Sequence, residues 1–167
     1  RGNLLWIPVA WFLLKVWHEL NHGLVAKRYG ADVVECGMLF VLFAPVGGYV
    51  DATASWRLTN RWQRLHVSLA GIAAETFLGC LAVVVWAANP PGALSTLAYN
   101  VAILATISTV IFNANPLMRF DGYYILSDLT GIENLQSRAF EVGVWRMREL
   151  LFALGRPPPE PMSRRYL

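Results

Sequence analysis

Three stretches of this sequence are long and apolar enough to cross a bilayer, and nothing else in it restricts the backbone as much. Crossing the hydrocarbon layer as a helix takes about 20 apolar residues. The stretches run from about Leu4 to Tyr29, from about Leu65 to Ala88 and from about Leu94 to Phe112. Gly30 supplies a stop after the first, and Asn89-Pro90-Pro91-Gly92 makes a tight turn between the other two. Pro8 falls in the opening turns of the first helix, where proline is tolerated or produces a kink. Only 15% of the residues are charged and 56% are hydrophobic, whereas a soluble domain carries about a quarter charged.

The segment from Asp32 to Asp51 does not follow the helical pattern. Val33-Val34-Glu35-Cys36-Gly37-Met38-Leu39-Phe40-Val41-Leu42-Phe43 is β-prone, and Pro45, Gly47 and Gly48 break it afterwards. Lipid cannot satisfy free backbone N–H and C=O groups, so an apolar non-helical segment must pair them within protein. We expect a short membrane-embedded sheet or hairpin beside the first helix.

Charge placement sets the expected topology. Lys27, Arg28, Arg57, Arg61 and Arg64 flank the connection between the first two spans, residues 89–93 carry no charge, and Arg119 and later arginines follow the third. By the positive-inside rule the first connection and the C-terminal region face the cytoplasm, with Trp56, Trp62 and Trp86 as interfacial anchors. The net charge is +3, and no Lys/Arg cluster is interleaved with aromatics, so a nucleic-acid partner is not expected.

After Tyr123 the chain becomes amphipathic. Glu141 to Leu151 reads as a surface or interfacial helix, and Arg156-Pro157-Pro158-Pro159-Glu160-Pro161 as an extended linker. The expected fold class is therefore a mainly α membrane protein. A three-helix core with its small β element occupies residues 1–130, and an amphipathic helix with a proline-rich tail occupies 131–167. Cys36 and Cys80 are isolated in apolar surroundings and form neither a zinc knuckle nor a disulfide framework, so both are expected as small core residues. Arg1-Gly2-Asn3 has neither an initiator Met nor the residue order of a signal peptide, which fits a processed chain or an internal portion of a longer one.

The chemistry is concentrated in His18-Glu19-Leu20-Asn21-His22, inside the first apolar stretch. Two histidines four apart share a helix face and can reach one metal ion, and Glu19 can take a proton from water. Catalytic zinc usually has three protein ligands. His66 lies between Leu65 and Val67 and is expected to pack, while Glu35 falls in the β-prone segment at a spacing that does not support ligation. Asn113-Ala114-Asn115-Pro116-Leu117-Met118-Arg119-Phe120-Asp121-Gly122 is the stronger candidate. A carboxylate at a membrane helix end is costly without a cationic partner or a metal, and the proline and paired asparagines point to an unwound helix end.

Together these residues resemble the site-2-protease family of intramembrane zinc metalloproteases, whose signature joins a His-Glu-x-x-His helix to an Asn-x-x-Pro…Asp-Gly segment. The resemblance implies that His18, His22 and Asp121 hold Zn²⁺, that Glu19 is the general base, and that Asn113 holds the substrate carbonyl or oxyanion, with Pro116 as the motif proline. Ser68-Leu69-Ala70-Gly71 is similar to the small-residue stretch that opens the family's second core helix. Pro45-Val46-Gly47-Gly48-Tyr49-Val50-Asp51, Trp56-Arg57-Leu58 and Asn115 to Tyr124 look like the bacterial peptide zinc metalloprotease branch.

The resemblance implies an intramembrane zinc metalloendopeptidase acting on membrane-embedded or membrane-associated peptides through a zinc-activated water. It also implies a bacterial inner (cytoplasmic) membrane location and a secretion or export adaptor as partner; the charge placement sets the site toward the cytoplasmic side, and the amphipathic tail with its proline linker suits docking on a larger membrane complex. The sequence departs from the family at Ile72-Ala73-Ala74-Glu75, where a Gly-Pro-x-x-Asn-like run is usual. Glu75 is expected to be a buried acid held neutral or salt-bridged; Lys15 and Arg119 are candidate partners, and a wet cavity or the site itself are other surroundings open to it. The same departure admits a catalytically silent, protease-like subunit with a structural or assembly role.

Overall fold

A computed structural model describes residues 6–42, 44–132 and 134–159; Arg1, Gly2, Asn3, Leu4, Leu5, Phe43, Glu160 and Pro161, all read in the sequence, lie outside them. In chain order the elements are α1 (Trp6–Arg28), β1 (Cys36–Val41), β2 (Ala44–Val50), a 3₁₀ turn (Thr53–Arg57), α2 (Arg61–Ala88), α3 (Ala93–Ile107), a π-helical turn (Ser108–Asn113), α4 (Asp121–Thr130) and α5 (Leu135–Phe152). They fall into two compact units, Arg1–Leu129 and Thr130–Leu167.

In the first unit α1, α2 and α3 pack on one another, and β2 lies along α1. Among the described residues two helical segments are long and apolar enough to cross a membrane, Arg61–Ala88 and Ala93–Asn113. Helix α1 has 23 residues but carries Lys15, Glu19, Lys27 and Arg28.

The unit is built with small and polar groups inside and large apolar groups outside. Buried positions include Ala10, Ala82, Ala98 and Ala105 together with His18, His22, Glu75, Ser108 and Asn113, whereas Leu13, Leu24, Phe77 and Val84 are exposed. That distribution suits lipid as the solvent, since helices in a bilayer gain by close approach of small residues and by internal polar contacts. Gly79 shows the closeness: a Cβ there would come within 3.1 Å of the Ala105 Cβ.

Helix α2 begins at Arg61, earlier than the expected Leu65, because Asn60 caps it. The Asn60 side chain accepts the N–H of Trp62 at 2.9 Å, which starts the helix in a polar turn that apolarity alone does not reveal.

The β-prone segment forms an antiparallel hairpin, with Cys36 opposite Val50 and Leu39 opposite Gly47. The expected break at Pro45, Gly47 and Gly48 does not occur; β2 runs through all three. Pro45 lies beside a register shift between Leu39 and Phe40, where a missing N–H is tolerated. The glycines let β2 lie flush on α1: a Cβ on Gly48 would sit 3.4 Å from the Val16 Cα.

The cysteine expectation is also corrected. Both Cys36 and Cys80 are exposed. An apolar sequence neighbourhood cannot separate a lipid-facing position from a core one, and Cys80 takes an outward face of α2.

In the second unit α5 extends beyond the expected 141–151. The Glu149 carboxylate accepts the N–H groups of Gly155 and Arg156, both at 2.9 Å, and the Trp145 indole donates to the Arg156 carbonyl at 2.9 Å. These bonds turn the first residues of the proline-rich tail back along the last turns of α5.

Candidate metal centre

His18 and His22 stand one turn apart on the buried face of α1. Their Nε2 atoms are 3.0 Å apart. Asp121 Oδ2 lies 2.9 Å from the first and 3.4 Å from the second. The fold thus brings the two histidines and Asp121, about a hundred residues downstream in sequence, into one cluster of donor atoms.

Asp121 reaches this point because α3 ends in the π-helical turn and the chain then folds back. Asn115 Oδ1 accepts the N–H of Leu117 at 2.9 Å, shaping the turn that contains Pro116. Gly122 makes the return possible, since a Cβ there would lie 2.5 Å from the carbonyl carbon and oxygen of Ala114. Helix α4 is then held to the start of α2: Arg64 Nε donates to Asp128 Oδ1 at 2.8 Å, and Arg64 Nη1 donates to the Leu58 carbonyl at 2.7 Å.

Three observations fit a metal ion at this cluster. Zinc bonds of about 2.0–2.1 Å in a tetrahedral set place donor atoms roughly 3.3 Å apart, close to the separations here. Asp121 Oδ2 is buried and has no hydrogen bond among the described residues despite its neighbours, an orphan oxygen that a cation would satisfy. A Cβ at Gly71 would lie 2.4 Å from both Nε2 atoms, so the glycine leaves an ion-sized space between α2 and the histidines.

The outer nitrogens fix the rings. His22 Nδ1 lies 2.7 Å from the Val67 carbonyl, which can only accept, so Nδ1 carries the proton and Nε2 faces the cluster. His18 Nδ1 lies 3.2 Å from Glu75 Oε2. Glu75 is fully buried; its Oε2 also accepts from Asn113 Nδ2 at 2.8 Å and from Thr109 Oγ1 at 3.2 Å, and its Oε1 lies 3.4 Å from Lys15 Nζ. Lys15 also contacts the Ser108 hydroxyl. Of the surroundings open to Glu75 in the sequence, the structure places it both beside Lys15 and against the site.

Glu19 lies between two cavities. A polar one of about 280 Å³ is lined by Glu19, His22, Ser68, Asp121, Arg64 and Tyr124 among others. An apolar one of about 340 Å³ is lined by Glu19, His18 and Asn113, by Trp11 and Phe120, and by the hairpin residues Leu39, Gly47 and Gly48. Asn113 therefore borders the apolar cavity while its amide nitrogen is anchored on Glu75. His66 is held by Tyr29, whose hydroxyl is 2.6 Å from its Nδ1, and Glu35 is exposed; neither belongs to the donor cluster.

Sequence reasoning missed Gly71 as the wall of the ion space and Val67 as a ring anchor. A signal was present: Val67, Gly71, Glu75 and Gly79 recur every four residues and form one buried stripe of α2.

Comparison with known proteins covers α1, the hairpin, α2 and the start of α3. Residues 7–101 match the model of peptidase family M50, more than half of the chain. Over 75 residues, 44% of the chain, the sequence is 31% identical to an uncharacterized protein of Methanocaldococcus jannaschii, and the match spans only 20% of that relative's length. No solved structure matches the chain.

Proposed function

The chain belongs to peptidase family M50, the site-2-protease family, and is an integral membrane protein, and from this premise we propose that it is an intramembrane zinc metalloendopeptidase. The observation that carries the proposal is the buried Asp121 Oδ2, without a hydrogen bond among the described residues and within 2.9–3.4 Å of two imidazole nitrogens. In it, α1 is the third membrane span, alongside α2 and α3, and its histidines lie toward the cytoplasmic end in a bacterial inner membrane.

His18, His22 and Asp121 would hold the ion. Zinc bound there would act as a Lewis acid toward water and toward the substrate carbonyl. Glu19, which borders both cavities, takes a proton from water on a carboxylate oxygen and delivers it to the leaving amine nitrogen. Water reaches Glu19 through the polar cavity beside Arg64 and Tyr124. The peptide enters the apolar cavity in an extended form, pairing with the hairpin as an added strand, because a helical peptide bond is shielded by its own hydrogen bonds. Asn113 borders that cavity; it keeps one N–H of its amide on Glu75 and gives the other to the carbonyl oxygen as charge develops. The substrate is a membrane-embedded or membrane-associated peptide, and α5 with its tail docks on a larger membrane complex or export adaptor.

The silent-subunit alternative drew on the departure at Glu75. That residue lies against His18, which favours a site still in use. The test is cleavage of a transmembrane peptide carrying a helix-breaking segment, presented to the purified chain in detergent. Glu19→Gln is expected to abolish cleavage and keep zinc; cleavage at the wild-type rate would overturn the proposal.

A further inference from the structure

We propose that Glu75 is a positioning residue of the metal centre, orienting the His18 ring and the Asn113 amide together while Lys15 neutralises it from α1. The inference rests on the metallopeptidase proposed above.

A merely structural ion pair would account for one carboxylate oxygen. Oε1 faces Lys15 at 3.4 Å, and the other oxygen is turned to the site. Oε2 lies 3.2 Å from His18 Nδ1 and accepts from Asn113 at 2.8 Å and Thr109 at 3.2 Å. A carboxylate oxygen offers these neighbours only an acceptor, and that decides two assignments at once. Asn113 turns its NH₂ toward Oε2, with its Nδ2 also 3.3 Å from His18 Nδ1, and the negative oxygen 3.2 Å away draws the His18 proton to Nδ1. The Nε2 lone pair of His18 is then left facing Asp121 and the space beside Gly71.

The two histidines are therefore oriented by different devices. His22 is fixed by the backbone carbonyl of Val67, which no side-chain change removes. His18 depends on a side chain four helix residues beyond Gly71. A carboxylate behind a ligating imidazole fixes its tautomer and raises its basicity, and removing such a partner typically lowers metal affinity about 10–100-fold. Lys15, an otherwise unexpected cation in an apolar helix, completes the arrangement: Glu75 has no exposed surface, and a carboxylate buried to that degree needs a counter-charge.

The experiment compares the full chain, purified in detergent, with Glu75→Gln and with the double variant Lys15→Met/Glu75→Leu. Zinc affinity is measured by chelator competition, folding by circular dichroism and thermal unfolding, and the ligand field by visible absorption of the cobalt-loaded protein. Replacing both members of a buried ion pair by apolar side chains of similar volume is generally compatible with folding, so the double variant separates stability from metal binding. Glu75→Gln keeps the side-chain shape and removes the charge. The expected result is a double variant that unfolds like the wild type, binds zinc about 10–100-fold more weakly and has an altered cobalt spectrum, with Glu75→Gln in between. Wild-type zinc affinity and cobalt spectrum in a folded double variant would reduce Glu75 to a buried charge partner and overturn the inference. A wild-type chain that binds no zinc would instead overturn the metallopeptidase proposal on which the inference stands.

Discussion

Gly71 on α2 faces His18 on α1 so closely that a Cβ at position 71 would lie 2.4 Å from the imidazole Nε2, and equally close to that of His22. The backbone of the second helix thus forms the wall against which an ion would rest. Alanine favours helix over glycine by about 1 kcal/mol, so Gly71→Ala should leave α2 helical and yet fill the ion's place. We expect near-complete loss of zinc with helical circular dichroism retained; zinc bound as in the wild type would show that the ion space is elsewhere.

Gly122 performs the corresponding task for the third donor. A Cβ there would meet the Ala114 carbonyl at 2.5 Å, and that atom belongs to the backbone and cannot rotate away. Gly122→Ala should cost about 1–3 kcal/mol through overpacking and displace Asp121 from the histidines. A lowered thermal midpoint together with weakened zinc binding is the expected pair of results.

Arg64 and Asp128 tie α4, which begins with Asp121, to the start of α2. Asp128 is buried and Arg64 is partly exposed, so removing the cation leaves a carboxylate short of its partner. Arg64→Met should destabilise by about 1–3 kcal/mol, below the 3–5 kcal/mol typical of a fully buried pair, and weaken zinc binding through α4. Arg64→Met/Asp128→Leu should recover much of the stability, as read in thermal unfolding.

Asn60→Ala removes the α2 cap, at a cost of about 1 kcal/mol. The cap lies away from the donor cluster, so zinc affinity should stay at the wild-type value while stability falls.

The parts of the site legible in the sequence were those whose chemistry resides in side chains at fixed spacing. His18, Glu19 and His22 follow from helical periodicity, and Asp121 from the proline-broken segment it ends. The Val67 carbonyl and the Gly71 cradle are backbone features and leave no side-chain mark. Glu75 was recognisable as a buried acid, but its partners depended on which residues of α1 and the π-helical turn face it. The strand through Pro45, Gly47 and Gly48 was hidden for a related reason: the two glycines, breakers in isolation, become close-packing residues against α1. Cys80 was misplaced because apolar neighbours accompany lipid-facing and core positions alike.

The match to the peptidase family ends at residue 101, before Asp121, so the third ligand is proposed from the geometry of the donor cluster. Metal analysis of the purified full chain and of Asp121→Ala tests it most directly. The account predicts one zinc per chain in the wild type and in Glu19→Gln, and loss of that zinc in Asp121→Ala. A wild-type chain without zinc, or an Asp121→Ala variant that keeps it at full affinity, would contradict it.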